Sequence, residues 1–485
     1  MIKIGWSTKN VSTDKAISLP GQFYKRISKG VLDPVTVNVL VIEGDDDIAI
    51  FMSGDLVVSR CGLLDEIREN VRALNNRIPV EKILFNATHT HCGPSHYYGS
   101  PESDEYRHFF AHKAAEAVSE AYESRAEGAI AYGYGYAVVS HSRRVVYFDD
   151  LTKREDADPF NALYVDGHAR MYGDTNDTMF SGYEAGADHF INIFYTFDKN
   201  KKLTGAIINV PCPSQNSEKE LYITADYWHD VKTALREKYG DIHIVSQCAA
   251  AGDLSPRILH YFKAQERRYR LKYSDVSLDE RVSYKTEMYS RFDISERICQ
   301  AFDEVLSWAK KDILWDAPIK HRVKTIELSK RLVSDEDYEF CRTQYEKICA
   351  EKPDENADEH TRSYRESEKE RYFKILKRYE EQKQSETLPM ELHVIKIGEV
   401  AFASNRFELY MDYQHRIQAR SPFVQTFVVQ LCAQPGDDGG TYLATERGVE
   451  NVGYSATLFC NLVSPKGGQQ LVESTLDELN KLYEE

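Results

Sequence analysis

The sequence predicts an α/β protein with a mixed sheet and a charged helical insertion. Apolar runs at 35–42 and 48–52 have the length and β-branched content of buried strands. A helical pattern over about 101–122 follows a third apolar run, which is the usual order of an α/β connection. Residues 257–385 carry charged helical patterns with too little apolar surface for a separate core. We therefore expect one domain over 1–485 that contains a helical insertion over 257–385.

The remaining predicted elements follow in chain order. An apolar run at 242–245, followed by the small residues at 249–251, is consistent with a buried strand that runs into a turn. Turn signals at 274–275 and 293–295 and a polar break at 353–356 divide the insertion into separate helices. Strand patterns return at 392–397 and 423–431, before a terminal helix over 468–482.

Composition and charge narrow the class of protein. Hydrophobic residues make up 42% of the chain, which is ordinary for a globular protein, and no apolar stretch is long enough to cross a membrane. The net charge of −16 disfavours nucleic acid as a partner and disfavours stable membrane association. Nine scattered cysteines fit reduced thiols, and residues 1–10 lack a signal-like apolar run, so we expect a cytoplasmic location. We expect a small-molecule substrate, and the insertion can serve as a solvated face, a lid or a contact in a homo-oligomer.

Two histidines stand at the end of an apolar strand pattern in the segment 85–94. Phe85, Ala87, His89 and His91 share one parity, so in a strand their side chains lie on one face. The apolar part of that face belongs in a core, and the Cys-Gly-Pro turn that follows breaks the strand. His89 and His91 then project from its edge, where imidazoles can bind a zinc-like metal or divide into ligand and substrate contact. Taken alone, the pattern is equally consistent with two structural histidines in a polar loop.

A second segment combines a turn with a serine and a proline. It reads Gly252-Asp253-Leu254-Ser255-Pro256-Arg257. Ser255 before Pro256 is typical of a helix start, with serine as the N-cap, and residues 257–262 continue that helix. A serine hydroxyl at such a turn also lies beside free amides, where developing negative charge is stabilised. The segment therefore predicts either a helix cap or a chemical role for Ser255.

Together these segments resemble the neutral/alkaline, non-lysosomal ceramidase family, whose catalytic domain carries His-Thr-His-x-Gly-Pro and Gly-Asp-x-Ser-Pro motifs in this order. The family's closing elements are similar to Tyr442-Leu443-Ala444-Thr445 followed by Gly453-Tyr454, although Thr441 stands where the family has glycine. Its carboxylate segment resembles Phe407-Glu408-Leu409, and its Asn-Arg pair resembles Ser142-Arg143. The resemblance runs through most of the chain and implies one mixed-sheet catalytic domain.

The resemblance also implies roles for the matching residues. Ligands of the family's single zinc ion match three residues here, namely His89, Glu408 and Tyr442. Positions that contact substrate or take part in amide cleavage match four others, namely His91, Arg143, Ser255 and Tyr454. We therefore expect one divalent metal, with zinc as the favoured ion. In such a site the metal lowers the pKa of bound water toward neutrality, and Arg143 or Tyr454 holds the oxyanion of a tetrahedral intermediate.

One zinc ligand of the family has no counterpart in this chain. Where the resemblance places a second histidine, residues 209–215 contain Cys212 and no imidazole. Cys212 can replace that ligand, although a small buried apolar role is the commoner fate of cysteine. His229 lies at a predicted helix start and is the other candidate, with an ordinary interfacial role as its alternative. A remodelled or empty site is the third possibility.

Three functions are compatible with these residues. The favoured one is a metal-dependent hydrolase of a soluble polar substrate, cleaving an amide or related bond, because the acidic chain shows no means of reaching ceramide in a bilayer. The second is an enzyme on the same scaffold that cleaves a sugar derivative by hydrolysis or elimination, with Tyr454 or His91 as acid or base. The third is a catalytically silent binding protein, which the missing histidine suggests.

Overall fold

The computed structural model describes residues 1–157, 166–352, 356–436 and 440–485. Its strands, in chain order, are β1 Lys3–Asn10, β2 Thr36–Glu43, β3 Ile48–Gly54, β4 Ile83–Ala87, β5 Ala126–Tyr136, β6 His141–Ser142, β7 Arg144–Tyr147, β8 Ala169–Met171, β9 Phe180–Tyr183, β10 Phe190–Asp198, β11 Leu203–Val210, β12 His243–Cys248, β13 Leu254–Ser255, β14 Ile319–Ser329, β15 Thr387–Ile397, β16 Val400–Ser404, β17 Glu408–Leu409, β18 Gln425–Val429 and β19 Tyr442–Leu443. Its α-helices are α1 Leu63–Leu74, α2 Pro101–Glu123, α3 Tyr227–Tyr239, α4 Phe262–Lys272, α5 Lys285–Ala309, α6 Asp335–Ala350, α7 Glu359–Gln382, α8 Met411–Arg420, α9 Glu446–Asn451 and α10 Pro465–Glu484.

Two mixed sheets form the centre of the molecule. The larger has eight strands in the order β12-β11-β10-β5-β1-β2-β3-β4, and the smaller has four in the order β14-β15-β16-β18. The pairs β3/β4, β11/β12 and β16/β18 are parallel, whereas the other neighbouring strands in these two sheets are antiparallel. The sequence prediction of an α/β fold with a mixed sheet is confirmed.

The sheets pack face to face because their strands are apolar on both sides. In β2, Leu40 and Ile42 point into the layer between the sheets, while Val39 and Val41 point to the opposite face. This is the period-two alternation of a strand, here with both faces buried. Phe51 of the larger sheet and Phe402 of the smaller lie with ring centroids 4.7 Å apart. The aromatic contact joins the two sheets into one core.

Helices cover the outer face of each sheet and complete four layers. On the larger sheet, α1 and α2 pack beside β2 and β3, and α3 and α5 pack beside β5, β10 and β11. On the smaller sheet, α8 and α10 pack against β14, β15 and β18. Leu471, Leu479 and Leu482 of α10 are buried there, and each buried leucine contributes about 1.5–3 kcal/mol to stability.

The segment predicted as a helical insertion, 257–385, differs from that prediction in two respects. It contains β14, a strand of the smaller sheet, so it is not wholly helical. It also contains α5, whose apolar face carries Ile294, Ile298 and Phe302 into the core beneath the larger sheet. Charged residues that alternate with apolar ones in β14 concealed the strand, since only one side of it is buried. Only α6 and α7 form a small separate cluster, and residues 353–355 of the predicted polar break lie outside the described residues.

Two local predictions around the histidine and serine segments are also corrected. The strand that precedes the histidines ends at Ala87, and His89 has a left-handed backbone with φ of 66°. Ser255 does not cap a helix, because it belongs to β13 and pairs with His141 of β6. The next helix, α4, begins at Phe262. Tertiary pairing has therefore overridden the local Ser-Pro signal for a helix start.

Two further observations concern the helices and the cysteines. None of the helices in the described ranges is long and apolar enough to cross a bilayer. All nine cysteines are free thiols.

Candidate functional site

The candidate site lies where strands from both sheets end. Strands β4, β12, β16 and β18 end together, and backbone hydrogen bonds join the loops that follow them, including Gln430 N to Cys248 O at 3.0 Å and Asn405 N to Val429 O at 2.9 Å. Ligand sites of α/β sheets form beyond the carboxyl ends of strands, because several loops meet there. These loops carry the two histidines, Ser255 and Glu408.

His89 is held in one orientation by the backbone. Its amide donates to the Leu56 carbonyl at 2.9 Å, and its ring Nδ1 lies 2.8 Å from the Val57 carbonyl oxygen. A carbonyl only accepts, so Nδ1 carries a proton and Nε2 presents its lone pair unless the ring is doubly protonated. Nε2 lies 3.3 Å from Glu408 Oε2. Histidine ligands of metals are commonly fixed by this kind of hydrogen bond on the opposite ring nitrogen.

Glu408 and Tyr442 are brought together by strand pairing. They are direct partners in the parallel pair β17/β19, and one nitrogen of Arg143 lies within 4 Å of both the Tyr442 hydroxyl and the Glu408 carboxylate. The turn at Gly252 packs against the same strand, and a Cβ added to Gly252 would lie 2.3 Å from the Glu408 carbonyl oxygen. Glycine in the Gly-Asp-x-Ser-Pro segment is therefore explained by close backbone approach to the strand that carries Glu408.

Arg143 supplies a buried positive charge beside these two side chains. Its Nη2 donates to the Gly252 carbonyl at 2.8 Å and to the Tyr442 hydroxyl at 3.2 Å, and it lies 3.8 Å from Glu408 Oε2. Burial raises the pKa of Glu408, but His89, Arg143 and the Tyr442 hydrogen bond outweigh burial and hold it below its usual value. Burial raises the pKa of Tyr442 well above its usual value. The site thus contains a carboxylate, a neutral phenol and a guanidinium.

His91 faces the same space and is positioned by polar neighbours. Its Nε2 lies 3.5 Å from His89 Nε2 and 3.3 Å from the Gln215 amide nitrogen, which donates to it. Its Nδ1 lies 3.4 Å from a carboxylate oxygen of Glu218. Burial, followed by the charges of His89 and nearby arginines, lowers the pKa of His91 well below its usual value. His91 is therefore a neutral imidazole, and its Nδ1 lies near Glu218 without a hydrogen bond to it.

The donor set fits a divalent metal. His89 Nε2 and the Glu408 carboxylate oxygen Oε2 lie 3.3 Å apart, and because His89 Nδ1 faces a carbonyl, this contact needs either a second ring proton or a cation that both atoms bind. Tyr442 is the third oxygen or nitrogen donor at the same place, and three protein ligands are typical of a catalytic zinc site. Within the described ranges, no three or more His, Cys, Asp and Glu side chains form a cluster that could hold a metal. A metal here therefore depends on the phenol of Tyr442.

Ser255 and Tyr454 lie at the edges of this group. Ser255 Oγ lies 3.3 Å from the Tyr172 hydroxyl oxygen and accepts from the Arg257 amide at 3.2 Å. The Tyr454 ring packs edge-on against the Tyr442 ring, with centroids 5.7 Å apart. Burial raises the pKa of Tyr454, so its phenol keeps its proton.

The two candidates for the missing ligand make their contacts elsewhere. The Cys212 thiol donates to the Val139 carbonyl at 3.2 Å and belongs to the apolar cluster between α3 and the larger sheet. Burial raises the pKa of this thiol well above its usual value, which disfavours the thiolate. His229 is partly exposed, and its Nδ1 lies 4.0 Å from Asp33 Oδ1. The structure thus brings His89, His91, Arg143, Glu408 and Tyr442 together, with Ser255 and Tyr454 at the edge.

Sequence reasoning missed four polar residues of the site, namely Tyr172, Gln215, Glu218 and Arg257. Gln215 accepts from Arg143 Nη1 at 3.4 Å and from the Tyr172 hydroxyl at 3.2 Å, so it connects Arg143 to His91. Arg257 Nη2 lies 2.5 Å from Glu218 Oε1. Gln215 and Arg257 end the segments 209–215 and 252–257, which the sequence analysis had already selected. Their position beside those candidate residues was the only sequence feature that pointed to them. Tyr172 carried no signal, because only its left-handed backbone (φ 54°) and tertiary contacts place it here.

Comparison with known proteins identifies the fold. No protein-family model matches the chain, and no curated protein matches it. The solved structure of neutral ceramidase from Pseudomonas aeruginosa is similar with a TM-score of 0.68 at 14% identity, and the match covers 100% of this chain and 74% of that one. A structure of ceramidase complexed with C2 is similar with a TM-score of 0.65 at 13% identity, covering 100% and 75% of the two chains. The chain therefore has a ceramidase-like fold.

Proposed function

We propose that the chain is a metal-dependent hydrolase that cleaves an amide or related bond in a polar substrate. The supporting observation is the approach of His89 Nε2 to Glu408 Oε2 at 3.3 Å, with His89 Nδ1 held by a carbonyl. We assign His89, Glu408 and Tyr442 as ligands of one divalent metal, with zinc as the favoured ion because the set mixes nitrogen and oxygen. When bound, such an ion polarises a carbonyl and activates water at neutral pH.

Arg143 and Tyr454 are suited to bind developing negative charge. Burial lowers the pKa of Arg143, but its neighbours Tyr442, Tyr172 and Glu408 outweigh burial and raise the pKa well above its usual value. The guanidinium therefore stays protonated. Its donors already reach the space beside the Tyr442 hydroxyl. A fixed donor in a buried site stabilises an oxyanion more strongly than water does, because it needs no reorganisation. Tyr454 adds a protonated phenol on the adjoining side.

His91 is suited to transfer a proton. Its Nδ1 lies 3.4 Å from Glu218 Oε2, and its Nε2 lies 3.5 Å from His89 Nε2. A carboxylate behind a histidine fixes the tautomer and stabilises the imidazolium that forms when Nε2 accepts a proton. We propose that His91 acts as general base or acid and that Glu218 positions it. Ser255, hydrogen-bonded to Tyr172, orients the substrate beside them.

A polar substrate fits this chain better than a membrane lipid. The net charge of −16 opposes approach to an anionic bilayer surface. A cavity of about 570 Å³ beside the site shares Tyr172 with it, and its lining combines aromatic and aliphatic surface with amide, hydroxyl and charged side chains. The same lining favours a second candidate function, the cleavage of a sugar derivative at this site, with His91 or Tyr454 as acid or base.

The discriminating experiment is a panel of soluble amides, esters and glycosides assayed with purified protein, with and without chelator. We expect turnover of an amide or ester that chelation abolishes and added zinc restores. Turnover of glycosides alone would select the second candidate. A metal-loaded protein that turns over none of the three classes would contradict the proposal and support a catalytically silent binding protein.

A further inference from the structure

We propose that the cavity beside the site binds an anionic, hydroxylated part of the substrate, of the sugar-acid class. This inference rests on the proposed function and specifies the substrate of that site. The cavity has a volume of about 570 Å³ and is enclosed by α4, the start of α5 and the segments around Tyr172 and Asn216. Its walls therefore come mainly from residues 257–290, which follow the Ser255 turn directly.

The charge of the cavity differs from that of the whole chain. Its charged lining residues are three cations, Lys219, Arg257 and Lys285, and one carboxylate, Glu287. Glu287 Oε1 lies 3.3 Å from Lys219 Nζ and 3.7 Å from Arg257 Nη2, so it is shared by two of the cations. In a chain with a net charge of −16, this local positive excess attracts an anion into the cavity.

The rest of the lining suits a hydroxylated ring. Amide and hydroxyl side chains line the cavity, including those of Asn216, Gln265 and Ser290, and they can both donate and accept hydrogen bonds. The aromatic rings of Tyr172, Tyr284 and Phe262 offer flat apolar faces between them. Most of the exposed lining surface is apolar, so the polar side chains and Lys285 are the groups that would select a hydroxylated ring over a lipid chain.

The cavity is linked to the proposed chemistry by two contacts. The Tyr172 hydroxyl, at the cavity wall, reaches both Ser255 and Gln215. Arg257, also at the wall, lies 2.5 Å from Glu218, which in turn lies 3.4 Å from His91 Nδ1. Arg257 is already paired with Glu218 and Glu287, so we assign the acid group to Lys285 at the same cavity. The cavity is thereby placed to hold one part of a substrate while the adjoining bond faces His91 and Ser255.

Binding of two matched probes tests the inference without turnover. D-glucuronate carries a carboxylate, and D-glucose is its neutral counterpart. We expect the purified protein to bind D-glucuronate about fivefold more tightly than D-glucose by calorimetry or ligand-observed NMR, as one partly exposed charge contact would give. Lys285→Met should remove most of that difference and leave glucose binding unchanged. Lys263→Met is the control, because Lys263 is exposed on α4 and does not line the cavity.

The possible results separate this inference from the proposed function. Equal binding of the two sugars, no binding of either, or a preference for glucuronate that survives Lys285→Met would each overturn it. Melting temperatures of both lysine variants should equal that of the wild type, since both side chains lie in exposed positions. Because the probes are not turned over, their binding is independent of the chelator assay. Failure of the hydrolase proposal and failure of the sugar-acid inference are therefore distinguishable.

Discussion

Two buried clusters in this molecule contain the same residue types but differ in how their histidine nitrogens and carboxylate oxygens are paired. Each contains two histidines, a glutamate and an arginine: one is His89, His91, Glu408 and Arg143, called here the site cluster, and the other is His321, His393, Glu391 and Arg68, called the frame cluster. The frame cluster lies between β14, β15 and α1, and it contacts the last residue of β16, Ser404.

In the frame cluster hydrogen bonds join the glutamate to the arginine and to both histidines in a chain, and His321 Nδ1 is left without a partner in the described part of the protein. Arg68 binds both carboxylate oxygens of Glu391, at 2.7 and 3.3 Å, and His393 Nε2 donates to Glu391 at 2.9 Å. His393 Nδ1 then accepts from His321 Nε2 at 3.0 Å. In the site cluster, by contrast, His89 Nδ1 is committed to the Val57 carbonyl, so the 3.3 Å contact between His89 Nε2 and Glu408 Oε2 needs either a second ring proton or a bound cation. Residue types alone do not identify a metal centre; the direction of the lone pairs does.

The largest expected effect is on metal content. We predict about one metal ion per chain in protein purified without chelator, as for a single catalytic site. Glu408→Gln and His89→Ala should each reduce it strongly and abolish chelator-sensitive activity. His393→Gln in the frame cluster should leave the metal content unchanged. Metal analysis of the purified variants checks this, and equal metal loss from both clusters would remove the distinction between them.

The next largest effect is on stability in the frame cluster. Arg68→Met should lower the free energy of unfolding by about 3–5 kcal/mol, because it leaves Glu391 buried without its partner. Arg68→Met combined with Glu391→Met should recover part of that loss, since no unpaired charge then remains. Urea denaturation of both variants measures the change. A loss below about 1 kcal/mol, as at an exposed ion pair, would show that solvent reaches the cluster.

A third effect compares two buried serines. Ser255→Ala should lower turnover by about 10²–10³-fold with little change in stability, if the hydroxyl orients substrate in the site. Ser404→Ala is the counterpart, because Ser404 Oγ accepts from the His393 amide at 2.8 Å in the frame cluster. That variant should lose about 1 kcal/mol of stability and keep its turnover. Normal kinetics in a stable Ser255→Ala protein would show that Ser255 has no role in the reaction.

The smallest effect is on the pH dependence of stability, and its sign differs between the regions. Burial raises the pKa of Glu391, but His393 and Arg68 outweigh it and lower the pKa to about 2. This carboxylate therefore stabilises the fold above its unfolded pKa of about 4.3, and the stability is lost as pH falls toward 2. Burial raises the pKa of Asp253, beside the site, to about 6. Its contribution is present below pH ~4 and is lost as pH rises through about 6.

Thermal unfolding between pH 2 and pH 8 measures both contributions. Glu391→Gln should flatten the acid limb of the stability profile, whereas Asp253→Asn should flatten the decline between about pH 4 and pH 6. If Asp253→Asn left that interval unchanged, the aspartate would be solvated rather than buried.

The sequence by itself determined the elements whose signals are local. The helix over 101–122 was predicted and is found at Pro101–Glu123, with Ser100 accepting a hydrogen bond from the Ser103 amide as its N-cap. The strand patterns at 35–42 and 48–52 were likewise found as β2 and β3, because side-chain alternation is a property of consecutive residues. The resemblance to ceramidases also placed Glu408 and Tyr442 among the candidates, and the structure sets them side by side in β17 and β19.

Only the tertiary structure decided what those candidates face. Ser255 belongs to a strand and not to a helix start, and Cys212 and His229 make their contacts elsewhere. Gln215 and Tyr172 contact the site residues although the sequence analysis did not select them. The tertiary structure also distinguished the site cluster from a frame cluster of the same residue types. Helix caps and strand alternation depend on neighbours within a few residues. The direction of a lone pair depends on the register of strands that lie far apart in the chain, and no local pattern records it.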